Sequence, residues 1–179
     1  MGTDPRVDLV ASFIKDVPDF PHPGVTFKDI TPLLANPPAY AACVDALVDH
    51  APDKVDVVVG MEARGFLFAA PVALKLGVGF VPVRKPGKLP GDVYSETFDL
   101  EYGQDTLTVH QDAIRPGARV LVVDDILATG GTIGATARLI QHLGADLVHV
   151  EVVLELGFLH GKQHLAEVGI NHVSALVTV

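Results

Sequence analysis

Tryptophan is absent from this chain of 179 residues, cysteine occurs once, and aromatic residues make up only 6%. A single cysteine cannot close an internal disulfide, and Cys43 stands among small apolar neighbours in "YAACVDAL", so packing inside a helix is its expected role. Positive charge is scarce as well: 13 Lys and Arg face 22 Asp and Glu, a net charge of −9. A surface of that sign repels nucleic-acid backbones and anionic membranes, so neither is an expected partner and any anion site must be local. Long apolar runs are also missing. Apolar stretches such as "GFLFAAPVAL" fall far short of the ~20 residues of a membrane span. The opening residues "MGTDPRVDLVASF" have neither a basic n-region nor a continuous apolar h-region, and Arg6 stands where a myristoylation signal needs Ser or Thr. A cytoplasmic protein is expected. The eight histidines are scattered. His160 and His164 are spaced i,i+4 in "HGKQH", but without a third ligand or an HExxH pattern nearby no metal site is expected there.

What is present suits an ordinary globular protein. Hydrophobic residues make up 49% and charged ones 20%, and a chain of this length buries roughly 70% of its unfolded surface without disulfides or metals. Apolar, β-branched runs at 55–60, 78–83, 119–125 and 147–156 alternate with helical patterns, which implies an α/β fold with a mostly parallel twisted sheet flanked by helices. Between the last two runs, Ile133, Thr136, Ala137, Ile140 and Leu143 follow helical spacing, and Gly144 stands where a left-handed cap belongs. A second helix is expected over 66–76, ended by Gly77, with Pro71 kinking it or marking its first turn. From 86 to 114 the pattern changes. "PGKLPGDV" is loop-like, and "YSETFDLEYGQDTLTVH" alternates about Gly103 as two antiparallel strands or a mobile hairpin would, an insertion of the kind that often serves as a lid. A proline-rich segment at 1–35 reads as an appendage on the sheet, so the expected organisation is one domain over 1–179.

The most informative stretch is "VLVVDDILATGGTIGA" at 120–135. In open α/β sheets, ligands bind where strands end and helices begin, because backbone donors and the helix dipole converge there. Residues 128–132, "ATGGT", are placed for a phosphate: glycines admit close backbone approach, and the Thr129 and Thr132 hydroxyls add donors. Generic nucleotide motifs fit badly, since there is no G-x-G-x-x-G and the lone Gly87-Lys88 pair has Pro82 and Leu89 at the other Walker A positions. Asp124 and Asp125 decide among phosphate ligands. A polyphosphate lying across both would be repelled, whereas a sugar diol offers hydroxyl donors that carboxylates accept, so a ribose 5-phosphate satisfies both halves. Arg84, Lys85 and Lys88 put three cations within five positions of an acidic chain, a local anion trap, and Arg64 lies in a strand-to-helix turn.

The motif resembles the phosphoribosyl pyrophosphate site of the type I phosphoribosyltransferases. "DFPHPGVTFKDITPLL" (19–34), "GMEARGFLFAAPVA" (60–73) and "RKPGKLPGDVYSETFDLEYG" (84–103) are similar, in that order, to the adenine phosphoribosyltransferase branch of that family. The resemblance weakens only at the first residues and in the C-terminal tail. It implies displacement of pyrophosphate from C1 of phosphoribosyl pyrophosphate by a ring nitrogen of adenine, giving AMP. Positive charge would develop on the ribose beside Asp124 and Asp125, which would stabilise it. Also implied are pyrophosphate contacts from Arg64, Lys85 and Lys88 with Arg84 beside them, and a 5′-phosphate held by Ala128, Thr129, Gly130, Gly131 and Thr132. Mg²⁺ would be bound mainly through substrate oxygens rather than a protein cage. Glu101 and Tyr102 would lie on a loop closing over the reaction centre, with Glu101 exchanging a proton with the base. Residues 1–35 would form an N-terminal hood whose Val25 and Phe27 pack on the purine, with Leu159 on its other face and Ala128 and Tyr102 beside it. Lys28 stands where relatives carry arginine. Lacking the planar fork, it is expected to support closure rather than read the base. A homodimer is implied too. Two other readings stay open: a regulator that senses phosphoribosyl pyrophosphate without catalysis, for which the N-terminal segment is too short and proline-rich to form a winged helix, and an enzyme for another purine, against which the hood and the "LEYG" loop argue.

Overall fold

In the computed structural model, which describes residues 4–99 and 103–179, the β-branched runs become the interior of one parallel sheet. In chain order the elements are α1 (Pro5–Ser12), β1 (Lys15–Pro18), β2 (Thr26–Asp29), α2 (Thr31–Ala35), α3 (Pro37–His50), β3 (Val57–Met61), α4 (Gly65–Leu76), β4 (Gly79–Val83), β5 (Val93–Asp99), β6 (Gln104–His110), β7 (Arg119–Leu127), α5 (Gly131–His142), β8 (Asp146–Glu155), a 3-10 turn (Gly157–Leu159), α6 (Gly161–Glu167) and β9 (Val173–Thr178). Five strands pair in parallel in the order β4-β3-β7-β8-β9. Each expected strand forms within two residues of its expected bounds. β9 was not anticipated. Its burial along "VSALVT" is mostly intermediate, with only Leu176 buried, so neither alternation nor a continuous apolar run marks it. Pro82 is tolerated in β4 because that strand is an edge, where a missing N–H costs no ladder bond.

Alternate residues of the central strands feed two cores. Val58, Leu121 and Val153 pack with Phe68 and Leu47 on the side of α1, α3 and α4. Val59, Val122 and Val152 pack with Leu139 and Ile133 on the side of α5. Pro71 lies inside α4 rather than in its first turn. Its missing N–H frees the carbonyl of Leu67 one turn earlier, and the Tyr40 hydroxyl of α3 donates to that carbonyl. Cys43 is buried in α3, and burial pushes its thiol up to about 12.

Two small antiparallel sheets flank the main one. β1 and β2 form the hood, with Asp16 opposite Lys28 and Val17 opposite Phe27. β5 and β6 form the expected hairpin, in register from Val93 opposite His110 to Asp99 opposite Gln104. The hairpin is rooted on the sheet through backbone bonds between Arg84 and Thr108. It also packs on α5, where Arg138 Nε donates to Glu96 Oε2 at 2.8 Å.

Candidate active site

Both neighbours of β3 were laid down after it, β4 on one side and β7 on the other, so connections leave the β3–β7 boundary in opposite directions. Such a switch point opens a crevice at the carboxyl ends of the strands. A cleft of about 360 Å³ lies there, lined by residues 61–65 and 124–133. On one side, β3 runs through the turn Glu62-Ala63-Arg64, whose Glu62–Ala63 peptide is cis, into α4 at Gly65. On the other, β7 runs through the glycine loop into α5 at Gly131. Neither helix has a side-chain cap on its first turn. Among the described residues, the amides of 128–132 have no backbone or side-chain acceptor. Two open helix N-termini, each with unsatisfied N–H groups and the positive end of a dipole, therefore face one cleft.

Between them stand the two aspartates. Asp124 and Asp125 are only 7% and 5% exposed. The Asp125 amide donates to Asp124 Oδ1 at 2.9 Å. Burial pushes the Asp124 carboxyl well above the usual carboxylate range, and the neighbouring Asp125 charge adds to the rise. Burial also raises Asp125, opposed by Arg64. Arg64 Nε lies 2.7 Å from Asp125 Oδ2, yet that oxygen receives no aligned hydrogen bond. A buried carboxylate oxygen left so is a ready acceptor for a ligand hydroxyl. The two walls of the cleft touch at Gly65, where a Cβ would stand 2.5 Å from Asp124 Oδ1.

The other residues singled out in the sequence fall into three groups. Arg64 and residues 128–132 line the cleft directly. The Arg64 guanidinium also lies over the Phe27 ring, 5.6 Å from its centroid, which ties the hood to the strand end. Arg84, Lys85 and Lys88 do not line it. Arg84 and Lys85 reach it through Glu62, whose Oε2 accepts from Arg84 Nε at 2.8 Å and whose Oε1 accepts from the Lys85 amide at 2.8 Å. Burial pushes Glu62 up, but the Lys85 amide and the Arg84 guanidinium outweigh it and hold the carboxyl below its ordinary value. Lys85 Nζ is paired with Asp105 at 2.8 Å on the hairpin, and Lys88 is exposed. Val25, Phe27, Lys28 and Leu159 stand outside the cleft lining, with Val25 44% exposed. Lys28 Nζ binds Asp16 Oδ1 at 2.7 Å across the hood ladder. Glu101 and Tyr102 lie outside the described residues. Sequence reasoning missed Glu62 as the organiser of the basic cluster. The only signal was a carboxylate beside Arg64 after a buried strand, and its partners lie 22 and 23 positions away.

Comparison with known proteins agrees with this geometry. Residues 29–168 match the family model described as a phosphoribosyl transferase domain. The chain is 67% identical over 174 residues to the adenine phosphoribosyltransferase of Cutibacterium acnes, covering 97% of this chain and 98% of that protein. The crystal structure of adenine phosphoribosyltransferase from Thermoanaerobacter pseudethanolicus superposes with a TM-score of 0.92 at 45% identity, covering 97% of this chain and 99% of the other. The Saccharomyces cerevisiae enzyme, complexed with D-2,5-dideoxy-2,5-imino-altritol 1,6-bisphosphate and adenine, superposes with a TM-score of 0.89 at 40% identity, covering 96% and 98%. With a strand-end diacid set between two open helix N-termini and this likeness along almost its whole length, the chain belongs to the phosphoribosyltransferase family.

Proposed function

We propose that this protein transfers the 5-phosphoribosyl group of phosphoribosyl pyrophosphate to adenine, giving AMP and pyrophosphate. The observation that carries the reading is the order of chemistry along the cleft: an open helix N-terminus, a buried pair of carboxylates, and a second open helix N-terminus. Phosphoribosyl pyrophosphate has the same order, with a phosphate at one end, a diol in the middle and a pyrophosphate at the other. The relative from Saccharomyces cerevisiae binds a sugar-like bisphosphate together with adenine, and the Cutibacterium acnes relative bears the name of this activity.

Within that reading, the 5′-phosphate sits on the amides of 128–132 and the ribose hydroxyls donate to Asp124 and Asp125. Pyrophosphate lies on the 62–65 turn beside Arg64. The bond from C1 to the pyrophosphate oxygen breaks as a ring nitrogen of adenine bonds to C1, and the electron pair leaves with pyrophosphate. Cationic charge on the ribose then grows beside two carboxylates already in place, which is preorganised stabilisation. Arg84 and Lys85 are held by Glu62 and Asp105, so pyrophosphate oxygens would compete for cations already at the rim, with Lys88 nearby. Glu101 follows Asp99 by two positions, and the Asp99 carbonyl lies 3.7 Å from where a Gly131 Cβ would stand. A carboxyl on this hairpin is the proposed proton partner of the base. Val25 and Phe27 of the hood and the turn bearing Leu159 would close on adenine.

The oxygen-rich donor set suits Mg²⁺. Asp124 and Asp125 place hard carboxylate groups in the cleft lining. Ribose and pyrophosphate oxygens with waters would hold the ion beside them, where it would neutralise pyrophosphate charge. The protein is proposed to act in the cytoplasm as a homodimer. Among the described residues no helix is long and apolar enough to cross a membrane, and α4 exposes Leu67 and Leu74 on its outer side. The reaction is tested by incubating the protein with phosphoribosyl pyrophosphate, Mg²⁺ and adenine, hypoxanthine or xanthine in turn. Stoichiometric AMP and pyrophosphate from adenine alone is the expected outcome, and product from another base in preference would overturn the assignment. Glu101→Gln in the same assay should lower turnover at least about 100-fold, the scale of general acid–base catalysis, with little change in binding.

A further inference from the structure

The glycine loop has an outer face, turned away from the cleft, and α6 packs against it. Gly161, His164 and Leu165 are spaced by three and four along α6 and so share one side of it. The helix comes so close that a Cβ on Gly161 would lie 2.2 Å from the Ala128 carbonyl oxygen, and one on Gly130 would lie 3.1 Å from Leu165 Cγ. His164 Nδ1 stands 3.1 Å from the Thr129 carbonyl oxygen. A carbonyl can only accept, so Nδ1 carries the proton.

That bond has a consequence on the other side of the peptide. The Thr129–Gly130 peptide is trans, since the only cis bonds among the described residues are Phe20–Pro21 and Glu62–Ala63. In a trans peptide the C=O and the following N–H point in opposite directions. A histidine that holds the Thr129 carbonyl outward thus turns the Gly130 N–H towards the cleft, which Gly130 also lines. The loop needs such a restraint. Gly130 sits at φ +93°, where a glycine is free to rotate, and behind the loop a cavity of about 200 Å³ between Phe98, Arg138 and Val168 leaves room for the peptide to flip.

We infer that His164 is a positioning residue for the phosphate loop: by hydrogen bonding the Thr129 carbonyl from outside, it aims the Gly130 amide at the 5′-phosphate of the substrate. The inference rests on the phosphoribosyl reading of the cleft for the identity of the anion. It differs from a packing role, because His164 is exposed and, among the described residues, the one polar contact of its imidazole is to the loop.

The test compares the parent with His164→Ala, which removes the donor, and His164→Asn, whose side-chain amide restores a donor where Nδ1 stood. Binding of ribose 5-phosphate is measured by calorimetry, and steady-state kinetics are run with each substrate varied. In His164→Ala the Kd for ribose 5-phosphate and the KM for phosphoribosyl pyrophosphate should rise together by about fivefold, the net worth of one ordinary hydrogen bond. The KM for adenine, kcat and the melting temperature should stay within experimental error, and His164→Asn should recover parental binding. Unchanged ribose 5-phosphate affinity in His164→Ala, or no recovery in His164→Asn, would overturn the inference. If the parent binds ribose 5-phosphate but makes no AMP, the proposed reaction fails while the calorimetric comparison still decides the role of His164.

Discussion

Burial of Asp124 and Asp125 sets the charge that ligand binding needs against the stability of the fold. Burial and the adjacent Asp125 charge both raise its pKa, and burial raises Asp125. A carboxyl whose folded pKa exceeds its unfolded one binds protons more tightly when folded. Its stabilising contribution is therefore fully present below the unfolded carboxylate value and is lost as pH climbs through the raised folded value. Above that raised value the buried charges destabilise the unliganded protein. Asp124→Asn removes one charge from the pair while keeping an oxygen that can accept the Asp125 amide, whose bond is 2.9 Å. It should raise the melting temperature of the unliganded protein at pH 7 by about 2–4 °C, the response of a domain this size to about 1 kcal/mol. The gain should shrink as pH falls towards 4. Affinity for phosphoribosyl pyrophosphate should fall by about 10- to 100-fold, the worth of a hydrogen bond to a charged group. Melting curves across pH with parallel binding titrations check both signs, and a variant that is less stable at pH 7 would show that the pair is structural. The aspartates were legible in the sequence because strand, acidic pair and glycine turn are contiguous, so local rules alone place them. Glu62 was not, because its role exists only once β3 and β4 have paired and brought Arg84 beside it.

At the scale of elements, the phosphate loop is clamped between two others. Phe98 of the hairpin packs on one side, where a Gly131 Cβ would stand 3.1 Å from its ring, and α6 packs on the other, where a Gly161 Cβ would stand 2.2 Å from Ala128 O and 2.8 Å from Leu127 Cδ1. The Ala128 carbonyl is backbone and cannot swing aside, so Gly161→Ala must move α6 or the loop. Overpacking of this kind costs about 1–3 kcal/mol. Unlike the exposed His164 variants, it should lower both the melting temperature, by about 2–12 °C, and the affinity for ribose 5-phosphate. Thermal denaturation and calorimetry on the one variant read the two effects, and a loss of stability without a loss of phosphate affinity would uncouple the helix from the loop. The contrast with the sequence reading is instructive. The 131–142 helix and its glycine-terminated end follow from 3.6-residue spacing, and Gly77 closes α4 at φ +69° as expected. Pro71 was expected to kink the helix or mark its first turn; it lies inside the helix, and the Leu67 carbonyl freed by its ring accepts the Tyr40 hydroxyl, a tertiary bond that no local pattern contains.

For the whole molecule, α4 links the cleft to the outer surface. Its first residue, Gly65, touches Asp124, and along its length Leu67 and Leu74 are 41% and 82% exposed. Seven positions apart, they lie on one face of the helix. Exposed leucines in a row on an acidic chain invite a second copy, and an interface on a two-fold axis would use each of them twice. The proposed homodimer accordingly places this face at its centre. Leu74→Glu tests it cleanly, because so exposed a side chain contributes nothing to the core of the isolated chain. Sedimentation equilibrium of the parent should give twice the chain mass. The substitution should weaken self-association by at least about 100-fold, since two buried leucines at about 1.5–3 kcal/mol each are lost and two carboxylates are brought together. Because the same helix positions Gly65 against Asp124, loss of the partner should also lower kcat/KM, and activity should return at protein concentrations high enough to restore the dimer. A parent that sediments at the mass of one chain would rule out the dimer, and a monomeric variant with full activity would show that α4 holds the cleft without its partner.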